Sequence, residues 1–319
     1  MQQNPVLDAL SDTIWTEKIN LPISDGGEGS IDALKHGLNG EVITCTSVDP
    51  LRRGINVQYL ISNVAGKRMA FIESASVIGI HFVMPSDETV RQGSSYGLGL
   101  LIKDAIAKGV QAVYLSLGGS GTSDGGLGLF QSLGSKIQTP ENGNPLLSVS
   151  DFDLKPARQA VRNISLIALA DVTNPYTGEN GFAEIFGPQK GASNTTIKEM
   201  DLQAKRVAEK IFEQYKIDLT HEAGAGAAGG LGGAVLALGG RIQSGFQTIS
   251  QLIDLEEKIS GADLIFTGEG RLDAQTAQGK VPFGIAQLAK KADIPVIALC
   301  GSKAEGISEL EDQFLGSFS

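Results

Sequence analysis

Three strand-like runs of apolar residues each end directly in a glycine, and this pattern limits the fold of the chain more than any other feature. The runs with their glycines are 112–117 with Gly118, 263–267 with Gly268, and 295–300 with Gly301. Stretches with the apolar spacing of helices, such as 95–108 and 282–291, alternate with these runs. The alternation predicts an α/β fold with a mostly parallel sheet, in which ligands bind at the carboxyl ends of the strands.

Residues 41–75 differ from the rest of the chain in their predicted secondary structure. Two β-rich runs flank a turn at residues 63–66, and this arrangement predicts antiparallel strands. The change suggests that a second domain begins near residue 41. An inserted domain, with the two ends of the chain sharing one sheet, agrees with this pattern.

The chain is acidic, with 26 basic residues, 36 acidic residues and a net charge of −10. This balance argues against nucleic acid and anionic membranes as partners, because binding to such surfaces depends on clusters of Lys and Arg. Cys45 and Cys300 form neither a disulfide framework nor a metal-ligand spacing, and the three histidines are widely separated. No apolar run approaches the ~20 residues of a membrane span and no signal peptide is visible, so we expect a cytoplasmic protein.

Glycine makes up 41 of the 319 residues, nearly double the average share of roughly 7 %, and it is concentrated in a few segments. One of these, residues 118–126, reads Gly-Gly-Ser-Gly-Thr-Ser-Asp-Gly-Gly after a strand and before an apolar helix. Its N–H groups and hydroxyls suit an anion, and its aspartate can hold Mg²⁺ or orient a hydroxyl. A tight turn with a capping aspartate is the alternative. The predicted phosphate or nucleotide contacts are Gly119, Ser120, Gly121, Thr122, Ser123 and Asp124.

Residues 224–233 are almost entirely glycine and alanine and contain the pattern Gly-x-Gly-x-x-Gly. The pattern alone is weak evidence for a dinucleotide site, because no clear strand precedes it. No lysine follows the glycines, so the segment is not the phosphate-binding loop of P-loop NTPases. A helix of small residues packed on a neighbour is the alternative, and we predict such packing together with phosphate contacts by Gly226 and Gly229.

Residues 268–273 place three charged side chains after a buried strand, on a predicted loop. Arg271 can bind a carboxylate or phosphate with two parallel hydrogen bonds. Glu269 or Asp273 can bind a metal ion or accept a hydroxyl proton. A turn closed by salt bridges is the alternative, and the position at a strand end favours function.

Two further segments carry polar residues at comparable positions. Asp171 and Asn174 follow the strand-like run 164–170, where they suit a metal ion or substrate hydroxyls, and Lys190 suits a phosphate or carboxylate. Asp25 and Glu28 lie in a glycine-rich turn before a helix and suit substrate or metal contacts. Side-chain turns and helix capping are the alternatives for both segments.

Taken together, these segments resemble the type I family of glycerate kinases. They occur in the order of the family and cover nearly the whole chain, so that six weak motifs become one specific pattern. The matching segments are 22–29, 118–126, 171–175, 186–192, 224–232 and 267–273, with Gln275, Thr276, Gly279 and Lys280 close behind.

The resemblance implies ATP-dependent phosphorylation of D-glycerate, usually to 2-phosphoglycerate, with Mg²⁺ bound to the ATP and no dedicated metal site on the protein. It also implies two α/β domains with a cleft between them. One is a Rossmann-like parallel sheet built from both chain ends, residues 1–40 and 256–319, and the other is a mixed α/β domain inserted at residues 41–255. Glycerate is the expected small-molecule partner, and a homodimer is a candidate assembly.

Within that activity, the glycine-rich loops are expected to hold the ATP phosphates. Arg271 or Lys190 is expected to bind the glycerate carboxylate, and Asp171 or Asp273 to accept the hydroxyl proton. Such a reaction depends mainly on positioning and electrostatics, which suits several acids and cations around a cleft.

Both ends of the sequence depart from the family pattern. The family opens with a strand that leads into an Asp-Ser-Phe-Lys-Gly type of turn, whereas residues 1–4 look like the tail of the helix that follows. The family also continues into a final helix beyond the strand near residues 318–319. We therefore expect a chain shortened at both ends, and a catalytically silent kinase that only binds its ligands is one alternative function. A dinucleotide-dependent oxidoreductase, based on residues 224–229, is the second.

Overall fold

The structure, a computed structural model, describes residues 17–27, 29–138, 143–273, 276 and 280–319. These residues form an α/β fold, as predicted, with one six-stranded sheet, one three-stranded sheet and one two-stranded pair. The strands are β1 (Gly40–Val48), β2 (Gly54–Val64), β3 (Lys67–Glu73), β4 (Ala112–Ser116), β5 (Lys136–Ile137), β6 (Phe152–Asp153), β7 (Ser165–Leu169), β8 (Arg241–Gln243), β9 (Ile265–Leu272), β10 (Val296–Lys303) and β11 (Gly316–Phe318).

Helices cover both sheets, and two short 3-10 helices, Ile80–Phe82 and Pro188–Lys190, lie in connections. The α-helices are α1 (Ser30–Gly37), α2 (Ala75–Ile78), α3 (Asp87–Gln92), α4 (Tyr96–Ala107), α5 (Leu127–Ser132), α6 (Pro145–Ser148), α7 (Lys155–Val161), α8 (Phe182–Phe186), α9 (Asn194–Tyr215), α10 (Ala227–Ala237), α11 (Gly245–Leu252), α12 (Leu255–Ile259), α13 (Val281–Lys291) and α14 (Ser308–Glu311).

The six-stranded sheet has the order β1-β2-β3-β4-β7-β8. The first three strands pair antiparallel and the remaining pairs are parallel. The turn between β2 and β3 lies at residues 65–66, which confirms the antiparallel strands predicted around residues 63–66. Since β3, β4 and β7 run in the same direction, their carboxyl ends meet at one edge, which we call the carboxyl edge.

The three-stranded sheet has the order β11-β10-β9, and all of its strands are parallel. Helix α13 connects β9 to β10, which confirms the predicted strand–helix–strand unit. The predicted strand ends at Gly268 and Gly301 were wrong, because β9 continues to Leu272 and β10 to Lys303. The two extensions pair with each other in register, with Glu269 opposite Cys300 and Arg271 opposite Ser302. A glycine does not end a strand when the neighbouring strand continues to supply hydrogen-bond partners.

Two hydrophobic cores lie on opposite faces of the six-stranded sheet. The first packs one face against α4, α5, α9 and α10, with Tyr59, Phe130 and Tyr176 among its largest fully buried side chains. The second joins Phe71 on the other face to Ile285 on α13 and to the three-stranded sheet. The apolar contacts of the second core therefore link the two sheets.

The division into domains stays a prediction. The second core contains residues from all three predicted segments, 1–40, 41–255 and 256–319. In the part of the chain that the structure describes, residues before β1 contribute α1 but no strand to the three-stranded sheet. The helix tail predicted at residues 1–4 lies outside the described residues. None of the helices that the structure describes is long and apolar enough to cross a membrane.

Candidate active site

The carboxyl edge brings together segments that are far apart in sequence. The N–H group of Ser74, just after β3, donates to the carbonyl oxygen of Ser116 at 3.0 Å. The N–H group of Leu117, just after β4, donates to the carbonyl oxygen of Leu169 at the end of β7 at 2.9 Å. The ladder hydrogen bonds therefore continue past the strand ends and hold the three following loops side by side.

Asp124 anchors residues 118–126, which we call the glycine loop. Its side chain is fully buried, and its Oδ2 atom accepts hydrogen bonds from the N–H groups of Ser95 at 2.7 Å and Gly128 at 3.1 Å. Oδ1 accepts from the N–H group of Gly126 at 3.0 Å, and the Ser95 hydroxyl adds a bond to Oδ2. Burial raises the pKa of Asp124, and the hydrogen bonds oppose that change. These contacts match the capping alternative for Asp124, and no described contact tests its predicted role toward Mg²⁺ or nucleotide.

Lys190 is buried against the same loop. Only 4 % of its surface is exposed, and its Nζ atom donates to Ser120 Oγ at 3.0 Å and to the carbonyl oxygen of Thr122 at 2.6 Å. Burial lowers the pKa of Lys190 to about 7, and the negative charge of Asp124 acts in the opposite direction. Lys190 therefore holds the glycine loop in place.

Several polar groups of the glycine loop are already bonded or enclosed. The N–H group of Gly121 donates to the carbonyl oxygen of Ile78 at 2.7 Å, and that of Gly125 to the carbonyl oxygen of Gly229 at 3.0 Å. The hydroxyls of Thr122 and Ser123 are buried and have no hydrogen-bond partner among the described residues. The phosphate contacts predicted for Gly119 through Asp124 stay a prediction.

The glycine–alanine segment packs tightly on the glycine loop. A Cβ atom on Gly229 would lie 2.1 Å from the carbonyl oxygen of Thr122, and one on Gly226 would lie 2.3 Å from the carbonyl oxygen of Pro175. Helix α10 also bends at its start, where Ala228, Gly229 and Gly230 have positive φ angles. The alternative of a small-residue helix packed on a neighbour describes these contacts, and no contact described here tests phosphate binding by Gly226 and Gly229.

Asp25 lies in a turn that is stabilised by its own residues. Its Oδ1 atom accepts a hydrogen bond from the N–H group of Gly27 at 3.0 Å. The hydroxyls of Ser24 and Ser30 lie 2.9 Å apart, and Ser30 Oγ donates to the carbonyl oxygen of Gly27 at 2.7 Å. Glu28, predicted in the same turn, lies outside the described residues.

Asp171 caps the amino terminus of α11. Its Oδ1 atom accepts from the N–H group of Gly245 at 3.0 Å, and Oδ2 accepts from that of Phe246 at 3.4 Å. Burial raises the pKa of Asp171, and the negative charge of Asp25 raises it further. Asp171 also lines a cleft of about 1280 Å³ that lies between β8, α11, α12 and α13.

Glu269 approaches Asp25 from β9. The hydroxyl of Thr276 donates a hydrogen bond to Glu269 Oε1. Burial raises the pKa of Glu269, the charges of Asp273 and Asp25 add to this effect, and the charge of Lys280 opposes it. Asp25, Asp171 and Glu269, which we call the acidic group, are all half-buried, and Asp25 interacts electrostatically with both of the others.

Arg271, Asp273 and Asn174 complete the set of predicted site residues. Arg271 is exposed on β9 and forms no ion pair with any residue that the structure describes. Asp273 is half-buried at the end of β9, and its N–H group donates to Thr276 Oγ1 at 3.1 Å. Asn174 Nδ2 donates to the carbonyl oxygen of Asn180 at 3.0 Å. In the described ranges, no three His, Cys, Asp or Glu side chains form a group that could hold a metal ion.

Sequence reasoning missed Glu73 at the end of β3. Its Oε1 atom accepts a hydrogen bond from the N–H group of Ile31, in the first turn of α1, at 2.7 Å. The same signal that identified Asp171, an acid at the carboxyl end of a predicted strand, was present at Glu73. Because residues 41–75 were interpreted as antiparallel strands, the last of them was not connected with the parallel edge.

Comparison with known proteins places the chain in a family. The model of the glycerate kinase family matches residues 6–319. The chain is 37% identical over 297 residues to glycerate 2-kinase of Escherichia coli strain K12, which covers 91% of this chain and 77% of that protein. It is 36% identical over 294 residues to a glycerate kinase of Halalkalibacterium halodurans, covering 90% of this chain and 77% of that protein.

A solved structure agrees with these matches. The crystal structure of a Salmonella typhimurium LT2 protein assigned as glycerate kinase 2 superposes with a TM-score of 0.80 at 34% identity. The superposition covers 97% of this chain and 82% of that one. Sequence and structure therefore agree, and the chain is a member of the glycerate kinase family.

Proposed function

We propose that the chain transfers the γ-phosphoryl group of ATP to D-glycerate and forms 2-phosphoglycerate. The observation that carries the proposal is the convergence of Asp25, Asp171 and Glu269 from three distant segments, with Asp171 lining a large cleft, in a member of this kinase family. Phosphoryl transfer requires little covalent chemistry from the protein, so positioned charges around a cleft are the main requirement.

The acidic group suits a reaction that uses Mg²⁺ delivered with ATP. Mg²⁺ in kinases usually keeps several waters and needs only one or two protein carboxylates besides the phosphates. Asp25 and Glu269 are half-buried and close enough to interact electrostatically, so they are the side chains that would hold the ion. When bound, Mg²⁺ offsets the negative charge of the phosphates.

Asp171 is the favoured proton acceptor. Its raised pKa brings it closer to the range in which a carboxylate is an effective general base. Each of its oxygens accepts one backbone hydrogen bond, which orients the carboxylate and leaves lone pairs free for a substrate hydroxyl. Asp273, half-buried at the end of β9, is the alternative acceptor.

Arg271 is favoured over Lys190 for binding the glycerate carboxylate. The guanidinium of Arg271 is exposed and has no acidic partner among the described residues, so it is free to form two parallel hydrogen bonds with a ligand. The ammonium of Lys190 is buried and already donates to the glycine loop.

An assay of ADP release with D-glycerate, L-glycerate and buffer alone tests the proposal. We expect release that depends on D-glycerate, and phosphorus NMR of the product distinguishes phosphorylation at the 2-hydroxyl from that at the 3-hydroxyl. Absence of release in all three samples would reject turnover by this chain. Thermal stabilisation by D-glycerate or ATP without ADP release would instead support the silent binding protein.

Oxidoreductase activity and the oligomeric state have separate tests. Membership of the glycerate kinase family does not favour a dinucleotide-dependent oxidoreductase. A change in NADH or NADPH fluorescence on mixing with the protein would support that alternative.

A homodimer in solution is a further proposal, which light scattering after gel filtration tests. A cytoplasmic location also stays an expectation.

A further inference from the structure

The amino terminus of α1 lacks a local side-chain cap. Gly29 occupies the capping position in a left-handed conformation and has no side chain to offer. The N–H group of Ile31 instead donates to Glu73 Oε1 at 2.7 Å, across 42 positions of sequence. The carboxylate of Glu73 therefore caps α1 from the end of β3, where its negative charge is also favoured by the helix dipole.

The capped turn is continuous with the turn that carries Asp25. Ser30, the first residue of α1, donates its hydroxyl hydrogen to the carbonyl oxygen of Gly27 and lies 2.9 Å from the hydroxyl of Ser24. A shift of the first turn of α1 would therefore move the turn that holds Asp25.

On its other side, the Asp25 turn rests on α11. A Cβ atom on Gly245 would lie only 1.8 Å from the carbonyl oxygen of Asp25, so the two backbones touch directly. Asp171 caps α11 at this same residue, Gly245. The Asp25 turn is therefore held between two helices, and each helix is anchored by a carboxylate from the end of a parallel strand.

We propose that Glu73 is a positioning residue for phosphoryl transfer, because it sets the place of Asp25 through the Ile31 amide and the first turn of α1. The inference rests on the proposed function, in which Asp25 faces the ligands. Small misplacements of reacting groups lower rates strongly, by up to roughly 100-fold for 1 Å. A residue that touches no substrate can therefore control turnover.

Three variants test the proposal: Glu73→Ala, Glu73→Gln and Glu73→Asp. Glutamine keeps an oxygen that can accept the Ile31 N–H bond, so Glu73→Gln should stay within about threefold of the wild-type kcat, whereas Glu73→Ala should lose about tenfold or more. The KM for ATP should change less than kcat. If Glu73→Ala does not fold, Glu73→Asp, which keeps the charge but is one methylene shorter, should show the same loss of kcat. Glu213→Ala, at an exposed position of α9, is the matched control.

A double-mutant comparison with Asp25→Ala tests the route of the effect. If Glu73 acts through Asp25, the Glu73→Ala substitution should reduce kcat far less in the Asp25→Ala background than in the wild type. Multiplicative losses would overturn the proposal. Equal damage by Gln and Ala would also overturn it, because the charge and not the accepted hydrogen bond would then matter.

Hydrogen exchange separates this proposal from the proposed function. Glu73→Ala should speed exchange of the Ile31 amide and of the amides of residues 25–27, 29 and 30 by about tenfold, and Glu73→Gln should restore their protection. This measurement does not need turnover, so it still tests the anchoring if the wild type releases no ADP from D-glycerate. Unchanged exchange in both Glu73→Ala and Glu73→Asp would reject the role of Glu73.

Discussion

The glycine loop follows β4 and Asp171 of the acidic group follows β7 at the same carboxyl edge, but the two regions differ in what their polar atoms contact. Asp124 in the glycine loop and Lys190 beside it are buried and bonded to the loop and its neighbours. In the acidic group, the carboxylates are half-buried, the charge of Asp25 repels those of Asp171 and Glu269, and Asp171 lines a cleft. From this difference we expect the glycine loop to act mainly as a scaffold and the carboxylates to be the groups available to a ligand.

The physical reason lies in the close approach of two backbones. Gly229 can contact Thr122 directly because neither chain has a side chain between them. Such contact uses the glycines for packing and consumes N–H groups, such as that of Gly125. If this comparison is right, substitutions in the acidic group should change turnover, and substitutions in the glycine loop should change stability.

The largest expected effect belongs to Asp171. Asp171→Asn keeps an oxygen that can accept a helix N–H group but removes the base, so kcat should fall by about 10²- to 10⁴-fold. The melting temperature should fall modestly, because the amide nitrogen cannot accept the second N–H bond, and Asp312→Asn, at a position away from the cleft, is the control. A variant that retains wild-type kcat would transfer the role of base to Asp273.

The raised pKa of Asp171 also predicts the shape of the pH profile. A base is active only when deprotonated, so kcat/KM should fall as the pH drops through the pKa of this group. Because burial raises that pKa, the fall should begin at a higher pH than for an exposed aspartate. The acid limb should disappear in Asp171→Asn, and an unchanged acid limb would assign it to another group.

Arg271 should show the next largest effect. Arg271→Ala removes charge-assisted hydrogen bonds to the substrate carboxylate, so the KM for D-glycerate should rise by about 10- to 100-fold with little change in the KM for ATP. Arg271→Lys keeps the charge but not the two parallel bonds, so its KM for D-glycerate should lie between those of the wild type and Arg271→Ala. An unchanged KM in Arg271→Ala would reject this role.

Gly229 tests the expectation that substitutions at the glycine loop change stability. Gly229→Ala places a Cβ atom 2.1 Å from the Thr122 carbonyl oxygen, so the free energy of unfolding should fall by about 3 kcal/mol. Gly261→Ala is the matched control, because Gly261 has a φ angle of 87° but no atom near its Cβ position. Denaturant unfolding should show a clearly larger loss of unfolding free energy for Gly229→Ala than for Gly261→Ala. Equal losses would mean that the positive φ angle, and not the contact with Thr122, causes the destabilisation.

Lys190 should give the smallest effect, visible as a dependence of stability on pH. Its pKa is about 7 in the folded protein against an ordinary value of 10.5, so between these values the unfolded chain binds a proton that the folded chain does not. Stability should therefore rise with pH above 7, by at most about 1.4 kcal/mol per unit.

Lys190→Met provides the comparison for that measurement. The substitution removes the bonds to Ser120 and Thr122 at every pH, and the slope of its stability against pH should lack the contribution of Lys190. Unfolding in urea at pH 7 and pH 9 measures both. Equal slopes in the two proteins would contradict a buried lysine with a lowered pKa.

Helix α9 shows that apolar spacing in the sequence predicts a helix but not every buried position on it. The spacing of Ile197, Leu202, Val207 and Ile211 predicts a helix with an apolar stripe, and the helix Asn194–Tyr215 is present. Three of these side chains are buried, but Leu202 is 53% exposed. Its distance of five residues from Ile197 turns it away from the core, so Met200 and Ala204 complete the buried face.

Local pattern in the sequence determined the α/β class, the antiparallel strands around residues 63–66, the unit β9–α13–β10 and the family. These features follow from the order of nearby residues, which can be read from the sequence itself. Only the tertiary structure decided that Lys190 is buried in the glycine loop, that β9 extends through Arg271, and that Glu73 caps α1. Each of these depends on a partner between 30 and 70 positions away, and the burial and hydrogen bonds of such a pair exist only once the sheet has brought its strand ends together.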